Sequence, residues 1–352
     1  MRPIRARVDS AALRHNLGVV KRHAPRSRVW AVVKANAYGH GLARVTRPLA
    51  KADGLALIEL EAALELRRQG EKRPILLLQG FYSPQELRRI AAHRLATVVH
   101  DPEQLAMLEK AKLRAKIAVY LKLNTGMNRL GFDEDGFHGA LERLQRCAGE
   151  ITLMTHFADA DGKRGVQWQV ERFKAMTQGL KLPRCLANSA AILRYPEARA
   201  DWIRPGITLY GCSPFADESA AKLGLKPAMT LSSELIAVRE LRAGDSVGYG
   251  CTFIADGPMR IGIVACGYAD GYPRHAPTGT PVLVCGKRTR TVGRVAMDML
   301  FADLSGIPQA AIGSPVTLWG KGLSADEVAA SAGTVSYELL CAITPRVPMT
   351  HG

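Results

Sequence analysis

Five short stretches of this chain place reactive side chains at the ends of apolar runs. Val29–Val33 is uninterrupted by polar residues and leads into Lys34, Ala35, Asn36, Ala37 and Tyr38, then Gly39 and Gly41. Such a run reads as a strand buried on both faces. A lysine leaving it either carries its ammonium out to water or is partly desolvated, which lowers its pKa and makes it a nucleophile or Schiff-base former. Lys122 closes a second apolar run, His156 a third, and Ser189 opens a helical segment after a fourth. The fifth stretch is Arg204-Pro205-Gly206-Ile207-Thr208. Each residue alone has a plain structural reading: a solvated strand end, a satisfied core histidine, a helix cap. Together they supply more. A helix N-terminus at Ser189 and free backbone N–H groups around Gly206 suit a phosphate. An amine for an aldehyde, a phosphate site and a nearby arginine point to pyridoxal phosphate.

The elements that must bring these residues together alternate in type. Apolar runs at Val29–Val33, Gly54–Ile58, Pro74–Leu78, Ala96–Val99, Ile117–Leu123, Ile151–His156 and Arg184–Asn188 are each followed by a helix-length periodic segment. An eighth strand is expected between Asp201 and Tyr210. Asp9 or Ser10 caps a helix with the stripe Leu13, Leu17 and Val20, and Ser83-Pro84 and Asp101-Pro102 mark two further helix starts. Eight strand-helix units in about 200 residues predict an α/β fold of the (β/α)8 TIM-type barrel, with reactive groups at the C-terminal ends of its strands. Lys34, Glu59, Lys122, His156, Ser189 and Arg204 would share that rim. An open doubly wound sheet has the same alternation, but no Gly-x-Gly-x-x-Gly follows the first strand.

Past residue 228 the texture becomes strand-like, with runs at Met229–Leu241, Ser246–Phe253, Ile261–Ala265, Pro281–Val284 and Pro315–Trp319, and one helix at Ser324–Ser331. This predicts a barrel over residues 1–225, whose first few residues pack on the second domain, and a mainly β domain over 226–352.

Composition narrows the class. The 352 residues are 47% hydrophobic and 23% charged, as in ordinary globular proteins, and no apolar run approaches a membrane span. The N-terminus is basic without a signal-peptide core, and the seven cysteines are scattered with no Cys-x-x-Cys pair. Free thiols in a reducing cytoplasm are expected, with neither a disulfide framework nor a metal site. The net charge of +16 comes mostly from arginines interspersed with acids on helical segments, and aromatics are only 6%. That pattern argues against a nucleic-acid partner and for attraction of anionic small molecules.

Six motifs in order then carry a family resemblance: Ala31–Gly41, Leu123–Gly131, Met154–Ala158, Arg204–Ile207, Val247–Gly250 and Gly267–Gly271. The chain resembles the alanine racemases from residue 5 to the C-terminus. The resemblance implies a pyridoxal-phosphate barrel followed by a β domain, a homodimer with shared active sites, and interconversion of L- and D-alanine that supplies D-alanine for peptidoglycan. Position by position it implies that Lys34 binds the cofactor covalently and serves as one base, and that Tyr249 of the partner subunit is the other. Arg204 would face the pyridine nitrogen, and His156 would orient Arg204. Tyr38, Ser189, Gly206, Ile207 and Tyr337 would hold the phosphate. Arg129 would meet the cofactor's phenolic oxygen and the substrate carboxylate. The Met297 backbone N–H would come to that carboxylate from the partner. Lys122 matches a lysine that some relatives carry as a carbamate, an anion that would hold Arg129. Tyr268 and Arg274 match residues lining the access corridor. Some relatives have cysteine where this chain has Ala296, so a thiol there is not essential to a shared mechanism. Two other functions fit parts of the pattern: a broad-specificity amino-acid racemase, and a non-catalytic pyridoxal-phosphate carrier. Carriers normally lack the β domain.

Overall fold

The computed structural model describes residues 2–351. Its first strand, β1 (Arg5–Val8), is followed by the helix Ser10–His23, whose N-terminus is capped by the Asp9 carboxylate accepting from the amides of Ala11 and Ala12. Then come β2 (Arg28–Val32), β3 (Gly54–Leu57), β4 (Ile75–Leu77), β5 (Ala96–Val99), β6 (Val119–Lys122), β7 (Ile151–Met154), β8 (Arg184–Cys185) and β9 (Trp202–Ile203). These eight pair in parallel in chain order, and β9 returns to β2 in the register Arg28 to Trp202 and Val29 to Ile203. The sheet is therefore a closed barrel, and the open doubly wound alternative is excluded.

The apolar runs close because both their faces find partners, the barrel interior and the helices outside. Trp30 fills the barrel floor. It stacks on Trp202 with ring centroids 4.4 Å apart and donates from Nε1 to Tyr120 Oη at 2.9 Å. Gly54 must be glycine for this to fit, since a Cβ there would lie 2.2 Å from the Trp30 ring.

The remaining strands are β10 (Met229–Leu241), β11 (Ser246–Val247), β12 (Phe253–Ile254), β13 (Met259–Val264), β14 (Pro281–Val284), β15 (Lys287–Val292), β16 (Leu300–Asp303), β17 (Pro315–Trp319) and β18 (Met349–His351). An eight-stranded sheet runs β13-β16-β15-β14-β17-β10-β1-β18, and the long β10 also pairs with β13. Both ends of the chain thus join this sheet: β1 lies antiparallel to β10, and β18 lies parallel to β1.

Two expectations for this second half are corrected. Ser246–Phe253 is not one strand: β11 and β12 form a hairpin interrupted by a 3₁₀ turn at Tyr249–Cys251, with Gly248 at φ 71° and Gly250 at φ 75°. Those left-handed glycines break the extended backbone and turn Tyr249 outward. Nor is Ser324–Ser331 the only helix, because Ser336–Cys341 forms another that packs back toward Lys34–Tyr38.

Candidate active site

The backbone that leaves β2 turns left-handed at once. Ala35, Asn36, Ala37 and Tyr38 have φ between 51° and 57°, and Gly39 follows at 75°. A left-handed turn costs non-glycine residues about 1–2 kcal/mol each. Its local hydrogen bonds offset part of that cost. Ala37 N donates to Val33 O at 2.9 Å, Gly39 N to Ala35 O at 3.0 Å, and Gly41 N to Asn36 O at 2.9 Å. The turn leaves Lys34 on the wall of a cavity of about 500 Å³ and folds Tyr38 back over the same cavity.

That cavity gathers Lys34, Tyr38, Lys122, Arg129, His156, Ser189, Arg204, Gly206, Ile207 and Tyr337. They come from the C-terminal ends of several barrel strands and from the helix Ser336–Cys341. Four of its lining residues are lysine or arginine, and Asp161 is the one carboxylate among them. Burial, with the neighbouring Arg129 charge, lowers the Lys34 pKa. Lys122 is more deeply buried, and desolvation with the charges of Arg204, Arg129 and Lys34 brings it down to about 7. Such a wall suits an anionic ligand and shifts both amines toward their nucleophilic form.

Arg204 is held by carbonyl oxygens. Nη1 donates to Cys185 O at 2.6 Å, and Nη2 donates to Thr155 O at 2.7 Å and Leu186 O at 3.0 Å. His156 Nδ1 lies 3.3 Å from Nη2. A guanidinium only donates, so this nitrogen accepts and His156 is neutral with its proton on Nε2. Burial and the adjacent Arg204 charge drive its pKa well below the ordinary range, in keeping with that state. None of these bonds uses Arg204 Nε.

Around Gly206 the chain builds a cradle of donors. Asn188 caps the helix Ser189–Arg194 by accepting from Ala191 N at 3.1 Å. Ser189 Oγ accepts from Gly206 N at 2.9 Å and lies 3.2 Å from Thr208 Oγ1. A Cβ on Gly206 would come within 2.5 Å of Tyr38 Oη, so only glycine lets the tyrosine hydroxyl close over this backbone. The hydroxyls of Ser189, Tyr38 and Tyr337, with the amide of Ile207, make a set of neutral donors suited to a phosphate. The Gly206 amide, expected to be free, is held by Ser189 Oγ and would join them when that hydroxyl turns to a ligand. Residues present therefore fit pyridoxal phosphate: an amine of lowered pKa at one end, a phosphate cradle at the other, and an arginine between.

The other sequence-derived residues lie outside this cavity. Tyr249 is 74% exposed on its 3₁₀ turn and Met297 is 52% exposed. Tyr268 and Arg274 border a separate hollow of about 220 Å³ with Glu338 and Leu339. Several wall residues had no signal in the sequence, among them Gln79, Asp161, Pro214 and Cys341. They reach the cavity from loops and the short C-terminal helix. The pairing of His40 with the left-handed turn was equally unreadable. Buried His40 lies 2.8 Å from Tyr38 O and 3.1 Å from Ala37 O through Nδ1. Among the described residues no three His, Cys, Asp or Glu side chains group to hold a metal ion, and no helix is long and apolar enough to cross a membrane.

A closed barrel with a lysine and a phosphate cradle at its strand ends, followed by a mainly β, mostly antiparallel domain, defines a class of barrel enzymes that hold an anionic, amine-reactive cofactor. Comparison with known proteins narrows this. The model of the alanine racemase N-terminal domain matches residues 8–214, and that of the C-terminal domain matches 228–351. The chain belongs to the alanine racemase family, which depends on pyridoxal phosphate. It is 60% identical to an alanine racemase from Nitrosospira multiformis over 98% of both chains. It is 56% identical to a catabolic alanine racemase from Klebsiella aerogenes over 99% of both. The crystal structure of the biosynthetic alanine racemase from Pseudomonas aeruginosa superposes with a TM-score of 0.97 at 50% identity, covering all of both chains.

Proposed function

We propose that this protein interconverts L- and D-alanine with two bases, Lys34 and Tyr249 of the partner subunit, in a homodimer whose active sites are shared. Racemisation removes a proton from one face of Cα and delivers one to the other, so fixed bases on opposite faces do it without turning the substrate over. The observation that carries this reading is the separation of the two candidates within one chain. Lys34 stands in the cavity wall, whereas Tyr249 projects from an exposed turn of the β domain. A second copy would bring that turn to the cavity.

Bound in the cavity, pyridoxal phosphate would supply an electron sink for the charge left on Cα. Lys34 Nζ would hold it at the aldehyde carbon and afterwards take or return the Cα proton on one face. Tyr38, Ser189, Tyr337 and the amides of Gly206 and Ile207 would hold its phosphate. Arg204, through Nε, would donate to the ring nitrogen. Arginine does not give up its proton, so the nitrogen would stay unprotonated and the sink weak, which limits transamination. Arg129 would draw in the substrate carboxylate, and the Met297 amide of the partner subunit would fix it. Tyr268 and Arg274 would line the access corridor. Lys122, with its pKa of about 7, has enough free amine at neutral pH to take up carbon dioxide. The resulting carbamate would be an anion placed to hold Arg129.

We further propose that the reaction supplies D-alanine for peptidoglycan in the cytoplasm, where its seven free cysteines remain reduced. The test is incubation of the holoenzyme with several L-amino acids in deuterium oxide, followed by chiral analysis and mass spectrometry. Alanine that loses its chirality and gains deuterium at Cα supports the reading, and its absence rejects it. Comparable turnover of larger amino acids would favour a broad-specificity racemase. Rescue of a D-alanine-requiring bacterium tests the supply role.

A further inference from the structure

The carboxylate of Asp270 is fully buried, yet it meets four donors from three parts of the chain. Arg2 reaches it from the N-terminus through Nη1 at 2.6 Å and Nη2 at 2.9 Å. Arg346 reaches it from the C-terminal segment through Nε at 2.9 Å. The fourth donor is the amide of Gly267, at 2.9 Å. The same two arginines clamp the neighbouring loop: Arg2 donates to Asp298 O at 2.9 Å, and Arg346 Nη2 lies 2.5 Å from Asp298 Oδ1.

These contacts lock two loops into one platform. Tyr268 N donates to Ala296 O and Ala269 N to Met297 O, both at 3.0 Å. The Met297 amide takes part in neither bond. Gly267 lies so close beneath that a Cβ would sit 2.4 Å from Met297 O. The platform continues to Tyr249. A Cβ on Gly293 would lie 2.8 Å from Val247 O, and one on Gly250 would lie 3.0 Å from an Arg294 guanidinium nitrogen. Tyr249, Met297 and Tyr268 are thus carried on one packed surface, and Asp270 is the charged group that ties it to both chain ends.

We propose that Asp270 is a positioning residue that acts in trans, setting the Met297 amide and the Tyr249 turn for the partner subunit's cavity rather than for its own. This rests on the shared-site reading above. A carboxylate buried between two guanidiniums cannot be neutralised in place without leaving those charges poorly compensated, so the loops would loosen. Fixed orientation of remote groups matters at this scale, because misplacement by about 1 Å costs on the order of a hundredfold in rate.

The experiment uses full-length holoenzyme. Asp270→Asn is expected to lower kcat/KM roughly ten- to a hundredfold, mainly through KM for alanine. Cofactor absorbance and affinity are expected to stay as in the parent, because the cavity of the same chain is untouched. In the cofactor-free protein, amide exchange across 294–299 should rise. Asp270→Asn chains are then reassorted with equal Lys34→Ala chains. Half the dimers are hybrids, each with one intact site, so activity should recover to about a quarter of the parent enzyme. Activity no greater than the sum of the two homodimers assayed separately would overturn the proposal. A parallel mixture of Lys34→Ala with Tyr249→Phe separates the two readings. If it recovers activity while the Asp270→Asn mixture does not, only the role of Asp270 falls. If it too fails, the shared site falls and takes this proposal with it. Should Asp270→Asn chains not fold, Arg346→Gln, which leaves Arg2 on Asp270, enters the same assortment under the same criteria.

Discussion

Arg204 Nη2 lies 3.3 Å from His156 Nδ1, while Thr155 O lies 2.7 Å and Leu186 O 3.0 Å from the same nitrogen. The resemblance assigned orientation of Arg204 to His156, but backbone oxygens make the shorter contacts. His156→Leu should therefore cost activity less than about tenfold, one weak hydrogen bond's worth. Arg204→Lys cannot serve all these carbonyls and leaves buried acceptors unpaired, a loss of about 2–3 kcal/mol. Urea unfolding of both variants beside their alanine kinetics checks the ordering.

A second prediction concerns Lys34. Its pKa is lowered by burial first and by the Arg129 charge second. Arg129→Gln removes a positive neighbour, so the ammonium becomes easier to keep and the pKa rises. The amine must be free to attack an aldehyde. Stopped-flow measurement of cofactor attachment against pH should therefore show the acid limb displaced to higher pH in the variant. Displacement to lower pH, or none, would contradict this electrostatic account.

What could be read from sequence divides along physical lines. Apolar runs report burial directly, so the barrel strands ending near Lys34, Lys122 and His156 were visible, as were helix starts marked by Asp9, Ser83 and Asp101. β15 was not, because Lys287, Arg288, Thr289 and Arg290 are polar and only Thr291 and Val292 are fully buried. β1 and β18 are short edge-region strands whose partners lie hundreds of residues away. The same distance hides the pairing of Asp270 with Arg2, 268 positions apart. The left-handed turn after Lys34 was silent too, since alanine carries no mark of backbone handedness.

Lys122 yields a stability prediction. Its ordinary pKa is about 10.4 in an unfolded chain, against about 7 in the folded protein. Between those values the unfolded state binds more protons, so stability contributed at this site rises with pH through the window from about 7 to 10. The slope is on the order of 1 kcal/mol per pH unit at most. Urea titrations at pH 7 and pH 9 in carbonate-free buffer should show the parent gaining on Lys122→Met over this interval. Added bicarbonate should stabilise the parent and leave the variant unmoved if the amine forms a carbamate.

The last prediction returns to the turn that presents Lys34. His40 is fully buried, and its Nδ1 faces the carbonyls of Tyr38 and Ala37, the second of which also accepts from the His40 amide at 3.0 Å. Two carbonyl acceptors require the proton on Nδ1. Burial lowers the pKa to about 4, so the ring stays neutral through the physiological range. Nε2 has no partner among the described residues. The donor at the Nδ1 position is therefore the group that matters. His40→Asn places an amide nitrogen close to that position and should retain most cofactor affinity. His40→Leu fills similar volume without a donor, leaves the Tyr38 carbonyl without that donor while Ala37 O keeps the His40 amide at 3.0 Å, and should cost about 1–3 kcal/mol of stability. Because Tyr38 lies within the turn, the leucine variant should also bind cofactor more weakly. Ala35→Gly should relieve strain at φ 52° and offset part of the leucine variant's loss, the reverse of what glycine does in a right-handed helix. Equal behaviour of the asparagine and leucine variants in cofactor titration and thermal unfolding would show that His40 acts by volume alone.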